Sequence, residues 1–199
     1  MKTVNMLMDQ LTNPQMILRE VKETLQAYDP GYQEEENRFQ QAAELLRQEV
    51  GNTVSPSAED YLTALEQEFA SDIIFAGWLG FRLNLECFKN PVNKLLLRED
   101  FESLVMEHQM PALPMARVAS ETISAFLKGL PPEQKHLTDD IIDYYAYLQT
   151  HAYKLAHCFG FLLADQFLPH VLPGYIADTT LTTRHRHALY NYRNLNSFS

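Results

Sequence analysis

Between Ile73 and Phe81 every position is apolar or glycine, and this run lies inside a longer segment, residues 57–89, in which Leu62, Leu65, Phe69, Ile73, Ala76, Gly80, Leu83 and Cys87 recur at three- and four-residue spacing. That spacing is one face of an α-helix. From Ile73 onward Ile74, Trp78, Phe81, Leu85 and Phe88 add a second stripe, and Phe75 and Leu79 take the side where charges belong. A helix with no wet side must be surrounded by other helices, a second subunit or an apolar ligand. The run is too short to cross a bilayer, which needs about 20 residues.

The rest of the chain answers to the same class. Apolar residues make up 46% of the 199, enough for a core, and no alternating run rich in Val, Ile and Thr is present, so strands are not expected and the fold class is all-α. A formal charge of −10 argues against a nucleic-acid partner, because phosphate neutralisation requires clustered Lys and Arg. Cys87 and Cys158 both fall in apolar helical runs, as buried free thiols would, which suits a reducing cytoplasm. The polar N-terminal stretch does not read as a signal peptide, and no membrane partner is expected.

Asn13-Pro14 predicts a helix start, with Ile17, Leu18, Val21 and Leu25 on its buried side and a stop at Asp29-Pro30-Gly31. A second helix is expected from Tyr32 to Val50, closed by Gly51-Asn52, and Ser57 with Asp60 resembles a capping box for the long helix. Asn90-Pro91 predicts a fourth helix with Val92, Leu95, Phe101 and Val105 buried, and a fifth runs from Pro114 to Lys128. Thr138 followed by Asp139 and Asp140 predicts a capped, acid-rich start for a sixth, to about Leu168, carrying Ile141, Tyr145, Leu148, Ala152, Leu155, Phe159 and Leu162 at helical spacing.

This gives a single-domain bundle over residues 1–174, of about six main helices, with two long central ones at 57–89 and 138–168. Shifted by 80 positions, Asp60 falls on Asp140, Ala76 on Ala156, Gly80 on Gly160, Phe81 on Phe161 and Leu83 on Leu163. An internal duplication of a helical hairpin, residues 32–89 and 112–169, is therefore one reading. Residues 175–199 differ in charge: Arg184, Arg186 and Arg193 against Asp178 make the segment basic in an acidic chain. It is expected as a short helix or a partly ordered tail.

No chemistry declares itself. His136, Asp139, Asp140 and Asp143 have the spacing to converge on a metal, but helix capping and dipole preference account for the same residues, and no metal or cofactor is expected. His151 and His157 are six apart, on different sides of one helix. Phosphate-cradling glycine motifs and the nucleophile elbow are missing. What stands out is aromatic: Phe75, Trp78, Leu79 and Phe81 near Gly77 and Gly80, facing Tyr144, Tyr145, Tyr147, Tyr153 and Phe161. Such stripes usually form core; otherwise they form an interface or a pocket. The expected function is a protein–protein interaction or adaptor module acting as a homodimer. The alternative is a binder of a small apolar ligand between the two long helices, and an enzyme ranks third.

Overall fold

In the computed structural model the chain is all-helical. It describes residues 6, 9, 13–89, 112–171, 174, 183, 184, 186 and 187, without the side chains of 83–89, 112–115 and 171. Among the described residues there are five α-helices and no strand: α1 (Pro14–Tyr28), α2 (Tyr32–Glu49), α3 (Ala58–Lys89), α4 (Ala112–Gly129) and α5 (Asp139–Val171), with a 3-10 helix (Pro132–Thr138) leading into α5. None of them is long and apolar enough to cross a membrane. The helix expected after Asn90, the thiol of Cys87 and most of residues 175–199 lie outside the described residues.

Local chemistry sets the helix ends. Pro14 opens α1 in the first turn, where its missing N–H costs nothing, although Asn13 makes no side-chain cap bond. The helix stops at Asp29, held extended (φ −102°, ψ 109°) by the proline that follows. Gly51 ends α2 with φ +49°, a conformation that strains any L side chain, and its N–H reaches the Leu46 carbonyl at 3.3 Å. At the start of α3 the capping box is closed in both directions: Asp60 N–H donates to Ser57 Oγ at 3.2 Å and Ser57 N–H to Asp60 Oδ2 at 3.0 Å. Thr138 does not cap α5. Its hydroxyl turns back to donate to the Lys135 carbonyl at 2.8 Å, completing the 3-10 turn.

The two long helices, 32 and 33 residues, pack on each other more extensively than any other pair. Phe69 of α3 meets Tyr145 of α5 at 5.5 Å, while near the crossing Gly80 lies against His157 and Gly160 against Gly77. Phe81 meets Phe167 at 6.4 Å. Contacts that climb both chains together mean parallel helices, here in a register close to the 80-residue offset seen in the sequence. The short helices cross over: α2 packs more on α5 than on α3, and α4 packs on α3. One core gathers Ile17, Val21 and Leu25 of α1 with Phe69, Ile73 and Trp78 of α3 and Leu148, Leu155 and Phe159 of α5. A second joins Leu46 of α2, Tyr61 of α3, Phe126 of α4 and Ile141 of α5. Burial of this kind contributes about 1.5–3 kcal/mol per large apolar side chain.

Candidate functional site

The first three turns of α5 carry Ile141, Tyr144 and Leu148 on the buried face, with Tyr145 on its flank. Phe39 of α2 stacks on Tyr144 with centroids 4.4 Å apart and 18° between planes, and meets Tyr145 edge-on at 5.7 Å. These rings make a rigid aromatic floor. Because α2 leans on α5 rather than on α3, a gap opens between α2 and α3, with α1 along its side. It is a cleft of about 240 Å³ lined by Leu18 and Lys22 of α1, Phe39 and Ala43 of α2, Leu62 of α3, and Tyr144, Tyr145 and Leu148 of α5.

The rim carries charges of both signs, Lys22 and Arg47 beside Glu59 and Glu66. Arg47 Nε donates to Glu59 at 2.9 Å, bridging α2 and α3, and Gln15 Nε2 donates to Glu66 at 3.0 Å, bridging α1 and α3. Such exposed contacts are worth little in stability, about 0–1 kcal/mol, and each uses one oxygen of its carboxylate. Lys22 is half-buried and makes no ion pair among the described residues. Burial pushes the Tyr145 hydroxyl up to about 12, with the charges of Glu66 and Tyr61 adding to it. Tyr144 is raised too, by burial first and then by the neighbouring Tyr32. Both hydroxyls are therefore neutral at physiological pH and serve as hydrogen-bonding groups rather than bases.

Two other hollows are more open to solvent. One of about 330 Å³ lies on the other side of α1 and shares Leu18 and Lys22 with the cleft. The other, about 410 Å³, is a polar groove between the start of α3 and α4, where the Asp60 carboxylate already serves the capping box.

The aromatic residues singled out in the sequence separate into groups along the parallel pair. Trp78, Phe81 and Phe161 are buried near the glycine crossing, with the rings of Trp78 and Phe81 5.3 Å apart, and Phe75 and Leu79 are half-buried there. Tyr144 and Tyr145 lie nearer the start of α5 and line the cleft. Tyr153 stands between, its hydroxyl accepting from Gln149 Nε2 at 2.7 Å. Tyr147 faces the α1–α2 turn, where its hydroxyl donates to Asp29 Oδ2. His136, Asp139, Asp140 and Asp143 are exposed and form no group able to hold a metal ion; among the described residues no such group occurs.

Sequence reasoning missed the Asp29–Tyr147 contact and the α1 side of the cleft. Asp29 reads as a turn residue, and its partner is 118 positions away. No local pattern reports such a pairing.

Compared with models of known families, with curated proteins and with solved structures, the chain matches none of them.

Proposed function

We propose that the protein is a binding module that takes a small, largely apolar ligand into the cleft between α1, α2 and α3, above the α5 floor. One observation carries this reading: both long helices supply the lining, Leu62 from α3 and Tyr144, Tyr145 and Leu148 from α5, around a space side chains leave unfilled. Apolar walls with a few convergent polar groups are the usual make-up of a ligand site. Two-dimensional NMR with 1-octanol, octanoate and octylamine as probes tests it. Saturable shifts are expected at Leu18, Leu62 and Leu148, abolished by Gln40→Trp, which plugs the mouth from an exposed position. Lack of any saturable shift with all three probes would remove the reading.

A second reading, a homodimeric interaction or adaptor module, is favoured by the apolar surface left near the crossing. Phe167 is 41% exposed beside Phe81, and Phe75 and Leu79 remain half-buried. Light scattering at micromolar concentration decides it: a dimer that Phe167→Glu dissociates supports this reading, and a strict monomer ends it. A reducing, cytoplasmic location belongs to either reading, and the buried free thiol of Cys158 supports it.

The finer architecture is part of the proposal: six main helices over residues 1–174, a separate basic segment at 175–199, and a duplicated hairpin. The duplication is supported by reciprocal contacts. Gly80 lies against His157, and adding 80 to the first and subtracting 80 from the second gives Gly160 against Gly77, which is also observed. The packing of α2 on α5 and of α4 on α3 transforms the same way. An experimental structure in which residues 32–89 and 112–169 fail to superpose would end it.

A further inference from the structure

The duplicated hairpins do not include α1, yet the sequence repeats that helix as well. Residues 18–25, LREVKETL, recur at 97–104 as LREDFESL, with five of eight positions identical and Thr24 matched by Ser103. The offset is 79, within one residue of the 80 that relates the hairpins, and each stretch lies just ahead of the first helix of a hairpin, α2 or α4. Asp100 in place of the buried Val21 is a departure, and Phe101 beside it supplies the apolar side chain instead.

The second half carries the surface that a repeated α1 needs. In the first half Leu18 and Lys22 of α1 line the cleft with Arg47 of α2 and with Leu62 and Glu66 of α3, and Leu62 is 7% exposed. Eighty positions on, Arg47, Leu62 and Glu66 become Leu127, Ile142 and Ala146. The equivalent face is therefore more apolar than the original, and Ile142, 44% exposed, lacks the cover that Leu62 has. The other side changes in step: Lys22 becomes Phe101 where Arg47 becomes Leu127 and Glu66 becomes Ala146. Both sides turn apolar together, as two surfaces that bury each other do. We infer that residues 94–105 are the second copy of α1 and seat as a helix on Leu127 of α4 and on Ile142 and Ala146 of α5, with Leu97 over Ile142. This assignment rests on the duplicated-hairpin reading and extends the repeat from two helices to three. It also takes this face away from any partner chain, because the segment joining α3 to α4 occupies it.

Cross-linking of the full chain with a short bis-maleimide, in a Cys87→Ala, Cys158→Ala background, tests it. Gln15 of α1 donates a hydrogen bond to Glu66 of α3 and both are exposed, so Gln15→Cys with Glu66→Cys is the reference pair. Its equivalent is Lys94→Cys with Ala146→Cys. Mass spectrometry is expected to find both pairs closed within one chain to a similar extent, while Lys94→Cys with Gln26→Cys, which would join the segment to α1, stays open. A link between two chains would give the face to a second copy of the protein and overturn the inference. Preference for Gln26→Cys, or failure of the Lys94 pair when the reference closes, would overturn it too. Thermal melts give a second readout: Leu97→Ala and Ile142→Ala should each lower Tm, and together by less than their sum, because they share one contact. An unchanged Tm for Ile142→Ala would mean that this side chain is bare and would also overturn the inference. Each of these failures leaves the hairpin duplication standing, since superposition of residues 32–89 on 112–169 decides that separately.

Discussion

Gly160 of α5 sits so close to the backbone of Gly77 in α3 that a Cβ placed on it would overlap the Gly77 carbonyl oxygen and stand 3.0 Å from the amide nitrogen of Phe81. Gly80 meets the His157 carbonyl in the same manner from the other helix. The obstacle is backbone in both cases, so no side chain can swing aside. Each of these glycines costs about 1 kcal/mol in intrinsic helix propensity, and the close approach of the two long helices offsets that cost.

Gly160→Ala therefore sets a propensity gain against a clash, and the clash wins. A loss of about 1–3 kcal/mol is expected from forcing the helices apart, and Gly80→Ala should lose a comparable amount. Gly129, at the end of α4, has nothing within 4 Å of the place an alanine methyl would take, so Gly129→Ala should gain about 0.4–1 kcal/mol. Urea unfolding of the three variants checks the order. A Gly160→Ala protein as stable as Gly129→Ala would mean that α3 and α5 do not cross this closely.

Tyr61 is fully buried in the second core, its ring stacked on Phe126 at 4.4 Å, yet its hydroxyl finds no hydrogen-bond partner among the described residues. Burial raises its pKa to about 12, with the nearby Asp139 charge contributing. A buried polar group left unsatisfied costs about 1–3 kcal/mol. Tyr61→Phe removes the hydroxyl and keeps the stack, so thermal unfolding should show an unchanged or higher Tm. Phe126→Ala, which removes the stack, should cost about 3–5 kcal/mol. A marked drop in Tm for Tyr61→Phe would reveal a partner for the hydroxyl.

The contrast between these sites shows what could be read in advance. Pro14, Gly51 and the Ser57–Asp60 pair act within one turn of their own positions, so the sequence carries their meaning and the helix ends follow from it. The apolar stripes of α3 and α5 likewise announce burial. They do not announce partners. That Tyr144 would stack on Phe39 while Tyr147 reached back to Asp29 depends on the register of α5 against α1 and α2, set by the whole packing. Thr138 shows the limit even locally: its hydroxyl had two nearby uses, an α-helical cap or a 3-10 turn, and took the second. The cleft is less legible still, because it depends on α2 packing more on α5 than on α3.

Cys158 is a chemical probe of that packing. It is buried in α5, and burial lifts its thiol pKa to about 11, only partly opposed by the charge of Lys154. Since the thiolate is the reactive form, Cys158 should resist iodoacetamide at about pH 8 in the folded protein and react at a free thiol's rate once unfolded. Mass spectrometry of the Cys158 peptide with and without urea reads this directly. Rapid labelling under native conditions would contradict the burial.

The α1–α2 turn should make stability fall on acidification in two separate steps. Burial lowers the pKa of His151 below its ordinary 6.5, Asp29 opposes and Lys154 adds to the lowering, so the folded state prefers the neutral imidazole. The unfolded chain then binds the extra proton as pH drops beneath 6.5, and stability declines there in proportion to the difference in protons bound. Asp29 behaves as a stabilised carboxylate: the hydrogen bond from Tyr147 and that from the Gly31 N–H at 2.9 Å hold it below its ordinary 3.8, against a smaller opposing effect of burial. Its contribution is full above 3.8 and is lost as pH falls through the lower folded value. Urea unfolding across about pH 3 to 8 separates the two. His151→Gln should flatten the step below 6.5 and slightly shrink the acid step, whereas Asp29→Asn should flatten the step below 3.8 and deepen the upper one, because each charge acts on the other group's pKa. Tyr147→Phe, which leaves Asp29 with the Gly31 N–H alone, should shrink the acid step without abolishing it, and an acid step untouched by Tyr147→Phe would mean that this hydroxyl does not hold the turn to α5.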